Sequence, residues 1–167
     1  DRPVDADLAR AAFASVEVPG RFEVVGHQPL VILDGAHNPA GARACAITLA
    51  EEFEVDGRRI LVVGLLADKD PAAMLEALGA ADFDLVVACP PDSPRATPPE
   101  ELATVLRAMG VQVEVRPSVA EAVALARTVA AEDDVVLVAG SLYVVGEART
   151  LLSRLAADPP AADPPDA

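Results

Sequence analysis

The chain has 167 residues, and 13 Lys and Arg against 27 Asp and Glu leave a formal charge of −14. That charge argues against nucleic acid or an anionic membrane surface as partner of the whole domain, although a local basic spot can still bind a phosphate. An aromatic content of 3% without Trp argues against base-stacking platforms, and no apolar run is long enough to suggest a membrane span.

The length suits one domain with a sizeable core. In chain order, Val4 to Ala14 reads as an Ala-rich amphipathic helix, broken at Pro19-Gly20. Phe22 to Gly26 alternates as a half-buried strand, whereas Leu30 to Leu33 is apolar throughout and fits a strand covered on both faces. A helix from about Ala40 to Phe53 follows, then a strand at Arg59 to Gly64 and a helix at Pro71 to Leu78. Asp84 to Cys89 is the next strand, and Pro98-Pro99 opens a helix to Met109 with Gly110 suited to its C′ position. Val111 to Val115 reads as a strand, Val119 to Ala131 as a helix, Val135 to Ala139 as the last strand and Ser141 to Ala156 as a closing helix. Residues 1–157 then form one domain, and 158–167 a disordered Pro/Ala-rich tail. Alternating strands and helices predict a Rossmann-like three-layer α/β sandwich with a mostly parallel six-stranded sheet. The connection from Phe22–Gly26 to Leu30 is too short for a crossover, so that pair is expected to form an antiparallel edge.

Ligands of open parallel sheets bind beyond the carboxyl ends of the strands. The rule selects Asp34-Gly35-Ala36-His37-Asn38-Pro39, Gly64 to Asp70, Pro90-Pro91-Asp92-Ser93 and Gly140-Ser141-Leu142-Tyr143. Asp34 is placed to accept from sugar hydroxyls, and His37 to meet an anion at a helix N-terminus; a cap at Asn38 with His37 packed on the sheet explains the stretch equally well. Asp70 reads as a helix cap, which leaves Lys69 unexplained: a cation near a helix start suits a ligand carboxylate or phosphate, or a pairing with Asp68. Ser141 is a cap or a hydroxyl donor to a ligand, and Arg21 a phosphate fork or an exposed ion-pair partner.

The chain has no P-loop, no dinucleotide fingerprint and no G-x-S-x-G elbow. His27 and His37 are the only histidines and no Cys pair has finger spacing, so no metal site is expected. Cys45 and Cys89 read as buried packing residues, and two cysteines without a disulfide framework point to a reducing, cytoplasmic setting. The first residues, Asp1-Arg2-Pro3-Val4-Asp5, do not read as a signal peptide. What remains is half of a site.

Pro19-Gly20-Arg21-Phe22-Glu23-Val24-Val25, Leu33-Asp34-Gly35-Ala36-His37-Asn38-Pro39, Ala67-Asp68-Lys69-Asp70 and Gly140-Ser141-Leu142-Tyr143-Val144-Val145-Gly146-Glu147 occur in that order. Together they resemble the C-terminal domain of folylpolyglutamate synthase and dihydrofolate synthase, in the Mur ligase superfamily. The resemblance implies an ATP-dependent amide ligase that adds L-glutamate to dihydropteroate or folates through an acyl phosphate. It implies that Arg21 and Asp34 bind ATP, that His37, Lys69 and Ser141 hold glutamate, and that Asn38 and Asp68 support them. It also implies an N-terminal lobe carrying the P-loop and the Mg²⁺ ligands, without which this chain is expected to be inactive. A stand-alone nucleotide or amino-acid binding module, a purely structural domain, and the C-terminal domain of a peptidoglycan-type Mur ligase are the competing readings.

Overall fold

The computed structural model describes Asp5 and residues 18–157, so the helix expected at Val4 to Ala14, apart from Asp5, and the tail expected at 158–167 lie outside the described residues. The strands are β1 (Glu23–His27), β2 (Leu30–Leu33), β3 (Arg59–Val63), β4 (Leu85–Ala88), β5 (Val113–Val115) and β6 (Val135–Ala139). The helices are α1 (Pro39–Glu52), α2 (Pro71–Ala77), α3 (Pro99–Ala108), α4 (Val119–Val129) and α5 (Leu142–Ala157), with a short 3₁₀ turn at Ala80–Asp82.

The sheet order is β1-β2-β6-β3-β4-β5; β1 and β2 are antiparallel and every other pair is parallel. The apolar runs take their places because alternate residues serve opposite faces. Ile32, Leu61, Val63, Val86 and Leu137 pack on one face against α1, α2 and α3, through Cys45, Leu49, Met74, Leu75, Leu102 and Leu106. Leu33, Ile60, Val62, Val87, Val136 and Val138 pack on the other against α4 and α5, through Ala122, Val123, Ala126, Val144 and Ala148. This is the expected three-layer sandwich.

Element limits differ from the sequence reading in ways that have local causes. Phe22 is excluded from β1 because its φ is +44°, a turn conformation. Val111 is excluded from β5 because its N–H is donated to the Leu106 carbonyl, which finishes α3. The register slips between Val24 and Gly26, so β1 carries a bulge that alternation alone does not reveal.

β6 is inserted between β2 and β3, and the chain leaves it for the opposite face from the one taken after β2 and β3. A crevice therefore opens at the carboxyl ends of these three strands, where α/β sheets bind ligands. Close backbone approach makes it compact: Gly140 has φ +101°, and a Cβ there would lie 2.8 Å from the Gly64 carbonyl oxygen. Only glycine fits that corner.

At the other end of the sheet, Asp134 ties the Arg58 segment to the turn that precedes β6. One carboxylate oxygen accepts the Arg58 N–H at 2.7 Å, and the other accepts the Ala131 N–H at 2.9 Å and the Arg58 guanidinium at 2.8 Å. The Arg58 guanidinium also donates to the Val129 carbonyl.

Both thiols are buried, Cys45 at 3% and Cys89 at 0% exposure. Burial, with a smaller push from Asp34 on Cys45 and from Glu147 on Cys89, raises each to about 12. The thiolate is the reactive species, so neither cysteine should react with an aromatic disulfide reagent in the native state at pH 8. Both should react at once in denaturant; native labelling at the denatured rate would contradict the packing.

Candidate functional site

The sequence places the polar groups at strand ends, and local hydrogen bonds set their directions. After β2, Asp34 is 9% exposed, and its two oxygens accept the Phe22 and Ala36 N–H groups, each at 2.9 Å. The carboxylate thus pins the turn before β1 to the turn after β2. His37 places Nδ1 2.9 Å from the Gly35 carbonyl. In the neutral ring this contact requires the proton on Nδ1 and leaves Nε2 as an acceptor. Asn38 caps α1 by accepting the Gly41 N–H at 2.9 Å. The cap reading of Asn38 therefore holds in the free domain. Asn38→Ala should cost about 1 kcal/mol of stability, read as a shift in the denaturation midpoint with unchanged slope.

After β3, Asp70 caps α2 by accepting from Ala72 and Ala73, as its position before Pro71 predicts. Lys69 Nζ lies 2.7 Å from Asp68, whose hydrogen bond to Lys69 holds the Asp68 carboxyl below the usual range. The pairing with Asp68 is thus present. Lys69 is nevertheless one wall of a cavity of about 220 Å³ whose other walls include His37, Arg95, Ser141 and Tyr143. Ser141 is 2% exposed, and its hydroxyl accepts the Tyr143 N–H at 3.2 Å. A hydroxyl that accepts still has a proton to donate, so the cap and ligand roles of Ser141 are compatible.

The structure therefore brings His37, Lys69, Ser141 and Asp68 together around one hollow. It puts Arg21 elsewhere. Arg21 lines a separate hollow of about 310 Å³ with Pro19, Phe22, Glu23 and Arg149, and reaches back 3.4 Å to the Gly35 carbonyl. Asp34 joins the turn that carries Arg21 to the turn before α1, each of its oxygens accepting one backbone N–H.

Arg95 is the cavity residue that the sequence reading passed over. It stands two residues beyond the Pro90–Ser93 segment already placed on the rim. The loops after β3 and β4 are zipped together by Ala67 N–H to the Arg95 carbonyl at 2.8 Å and by Thr97 N–H to the Leu65 carbonyl at 2.9 Å. That pairing carries the Arg95 side chain to Lys69. A cation in a loop already assigned to the rim was the available signal. The cavity has three nitrogen-bearing side chains, the Ser141 hydroxyl, the Asp68 carboxylate paired with Lys69, and an exposed Leu142–Tyr143 lip. Its chemistry suits a small ligand with more than one carboxylate.

A family model described as Mur ligase, glutamate ligase domain, matches residues 20–142. The chain belongs to this Mur ligase domain family. The matched stretch of the Mur ligase domain contains Arg21, Asp34, His37, Lys69 and Ser141, while Tyr143 of the first hollow and Arg149 of the second lie beyond it. The chain is 46% identical over 156 residues to the probable bifunctional folylpolyglutamate synthase/dihydropteroate synthase of Halobacterium salinarum, covering 93% of this chain and 19% of that one. Its fold is similar to that of E. coli FolC in complex with DHPP and ADP, with a TM-score of 0.79, 32% identity, and coverage of 92% of this chain and 36% of that one. It is also similar to a bifunctional folylpolyglutamate synthase/dihydrofolate synthase with Mn, AMPPNP and L-glutamate bound, with a TM-score of 0.74 and 34% identity, covering 94% of this chain and 36% of that one. The Mur ligase domain thus spans between about a fifth and about a third of the length of the relatives it matches.

Proposed function

We propose that this chain is the glutamate-binding lobe of an ATP-dependent ligase that joins L-glutamate to dihydropteroate or a folate. The observation that carries the reading is the convergence of His37, Lys69 and Ser141 on one cavity, with Arg21 held apart in a second hollow. Lys69 and Arg95 supply charge for two carboxylates, and the Ser141 hydroxyl adds a donor. His37 Nε2 is available to accept a hydrogen bond from the incoming amine. Arg21 faces the nucleotide phosphates, and Asp34 holds the Arg21 turn while its remaining lone pairs are open to a ribose hydroxyl. ATP, when bound, supplies the phosphoryl group that makes the folate carboxylate an acyl phosphate. This lobe then acts by positioning and charge neutralisation, without a protein nucleophile.

Among the described residues, no group of three or more His, Cys, Asp or Glu side chains is arranged to hold a metal ion. The residues present do not fit Mg²⁺, and no step is assigned to it on this lobe. A P-loop lobe, acting with this one, completes the site in this proposal. That the relatives named above are folate ligases, one of them holding L-glutamate, supports the folate branch over a peptidoglycan-type substrate.

The test has two arms. L-Glutamate added to the 167 residues should shift the NMR signals of His37, Ser141 and Tyr143, yet no amide should form with ATP and dihydropteroate. The complete enzyme carrying this domain should form ADP only when both acid and L-glutamate are present. Amide formation by the 167 residues alone, or glutamate-independent turnover by the complete enzyme, would overturn the proposal.

A further inference from the structure

The turn at Pro19–Phe22 is fastened more heavily than a surface turn requires. Gly20 has φ +70°, and a Cβ there would lie 2.9 Å from Val145 on α5. Phe22 has φ +44° although it carries a side chain, a conformation that persists only where its surroundings impose it. Two fastenings come from the turn after β2: Asp34 accepts the Phe22 N–H, and the Gly35 N–H reaches the Gly20 carbonyl at 2.7 Å. A third comes from β1 itself, where Glu23 accepts the Gly20 N–H at 2.7 Å.

Glu23 is in turn held from far along the chain. Arg149 Nε, on α5, lies 2.9 and 3.1 Å from its two carboxylate oxygens. Arg149 and Arg21 line the same hollow. Arg149 lies about two turns along α5 from Leu142, and the first turn of that helix walls the cavity of His37, Lys69 and Ser141. One helix thus touches both hollows.

We propose that Glu23 and Arg149 are positioning residues that latch the Arg21 turn to α5, keeping the nucleotide end and the amino-acid end of the rim in fixed register. The proposal rests on the reading of Arg21 as the phosphate-facing residue. An ion pair this exposed adds little to global stability, so its effect should be local. Losing it lets the strained turn relax and moves the Arg21 guanidinium, and small misplacements of a positioned charge cost rate and affinity.

In the complete enzyme carrying this domain, Arg149→Gln and Glu23→Ala should each raise the KM for ATP about tenfold, with the KM for L-glutamate within about twofold of wild type. Glu23→Gln keeps an acceptor for the Gly20 N–H and should fall between Glu23→Ala and wild type. Arg149→Lys should recover most of the loss, because a cation returns to Glu23. Melting temperatures should change little, and amide exchange should quicken at Gly20 and Phe22 while the amides around Ser141 keep their protection. Arg21→Gln is the reference. Should it leave the KM for ATP unchanged, the phosphate reading of Arg21 fails and the latch fails with it. Should Arg21→Gln raise that KM while Arg149→Gln and Glu23→Ala do not, the latch alone is overturned. An equal rise in both KM values, tracking a lost melting temperature, would also overturn it in favour of a purely structural pair.

Discussion

Asp134→Ala should lower the melting temperature by about 10 °C at neutral pH, the equivalent of about 3 kcal/mol in a chain of this size. The carboxylate is 4% exposed and serves two backbone N–H groups and one guanidinium, so its removal strands three donors at once, two on Arg58 and one on Ala131. Each stranded backbone donor costs about 1 kcal/mol or more. Burial alone would raise the Asp134 carboxyl, but the Ala131 and Arg58 N–H groups and the Arg58 guanidinium outweigh it and hold the group below the usual range. The sign of the pH effect follows. A carboxylate depressed in the folded state contributes fully above its ordinary value of about 3.9. That contribution is lost as the pH falls through its lower folded value. The gap between wild type and Asp134→Ala should therefore close in acid. Thermal melts from pH 7 downwards check this, and a gap that stays constant would mean that the clamp contributes by packing and not by charge.

Lys69→Met should raise the KM for L-glutamate about thirtyfold in the complete enzyme, the loss of about 2 kcal/mol from one charge-assisted contact. Met keeps much of the stem and removes the ammonium, so packing against the cavity wall is retained. The KM for ATP should stay within about twofold, since Arg21 lines a different hollow. The pairing of Lys69 with Asp68 gives a second readout. The two side chains satisfy one another in the free domain, so the substrate carboxylate competes with Asp68 for the ammonium. Asp68→Asn should accordingly lower the KM for L-glutamate. Equal losses for both substrates on Lys69→Met would remove the assignment of the cavity to the amino acid.

Much of the architecture is legible in the sequence because the chemistry is local. Leu30–Leu33, Ile60–Val63, Leu85–Ala88 and Val135–Ala139 have no polar interruption, and such runs have nowhere to sit except in a sheet covered on both faces. The antiparallel β1 follows from a connection too short to cross over. The place of β6 between β2 and β3 does not follow, because every one of these strands is equally apolar and any order buries them. The bulge at Val24–Gly26 and the 3₁₀ turn at Ala80–Asp82 depend on packing partners that no window of sequence contains. The site divides in the same way. His37, Lys69 and Ser141 each stand next to a strand end and could be placed on one rim. Their division from Arg21 into two hollows, the arrival of Arg95 beside Lys69, and the grip of Arg149 on Glu23 depend on contacts across the fold. The largest of those spans 126 residues.

The sheet's two borders have a consequence for how copies of this chain meet. Among the described residues the borders are β1, which is bulged and partly exposed, and β5, which is three residues long. A border strand recruits its like when it is long, flat and apolar. Neither of these is. With −14 of net charge adding mutual repulsion, the domain should stay dispersed at concentrations where a flat-edged sheet of equal apolar content would polymerise.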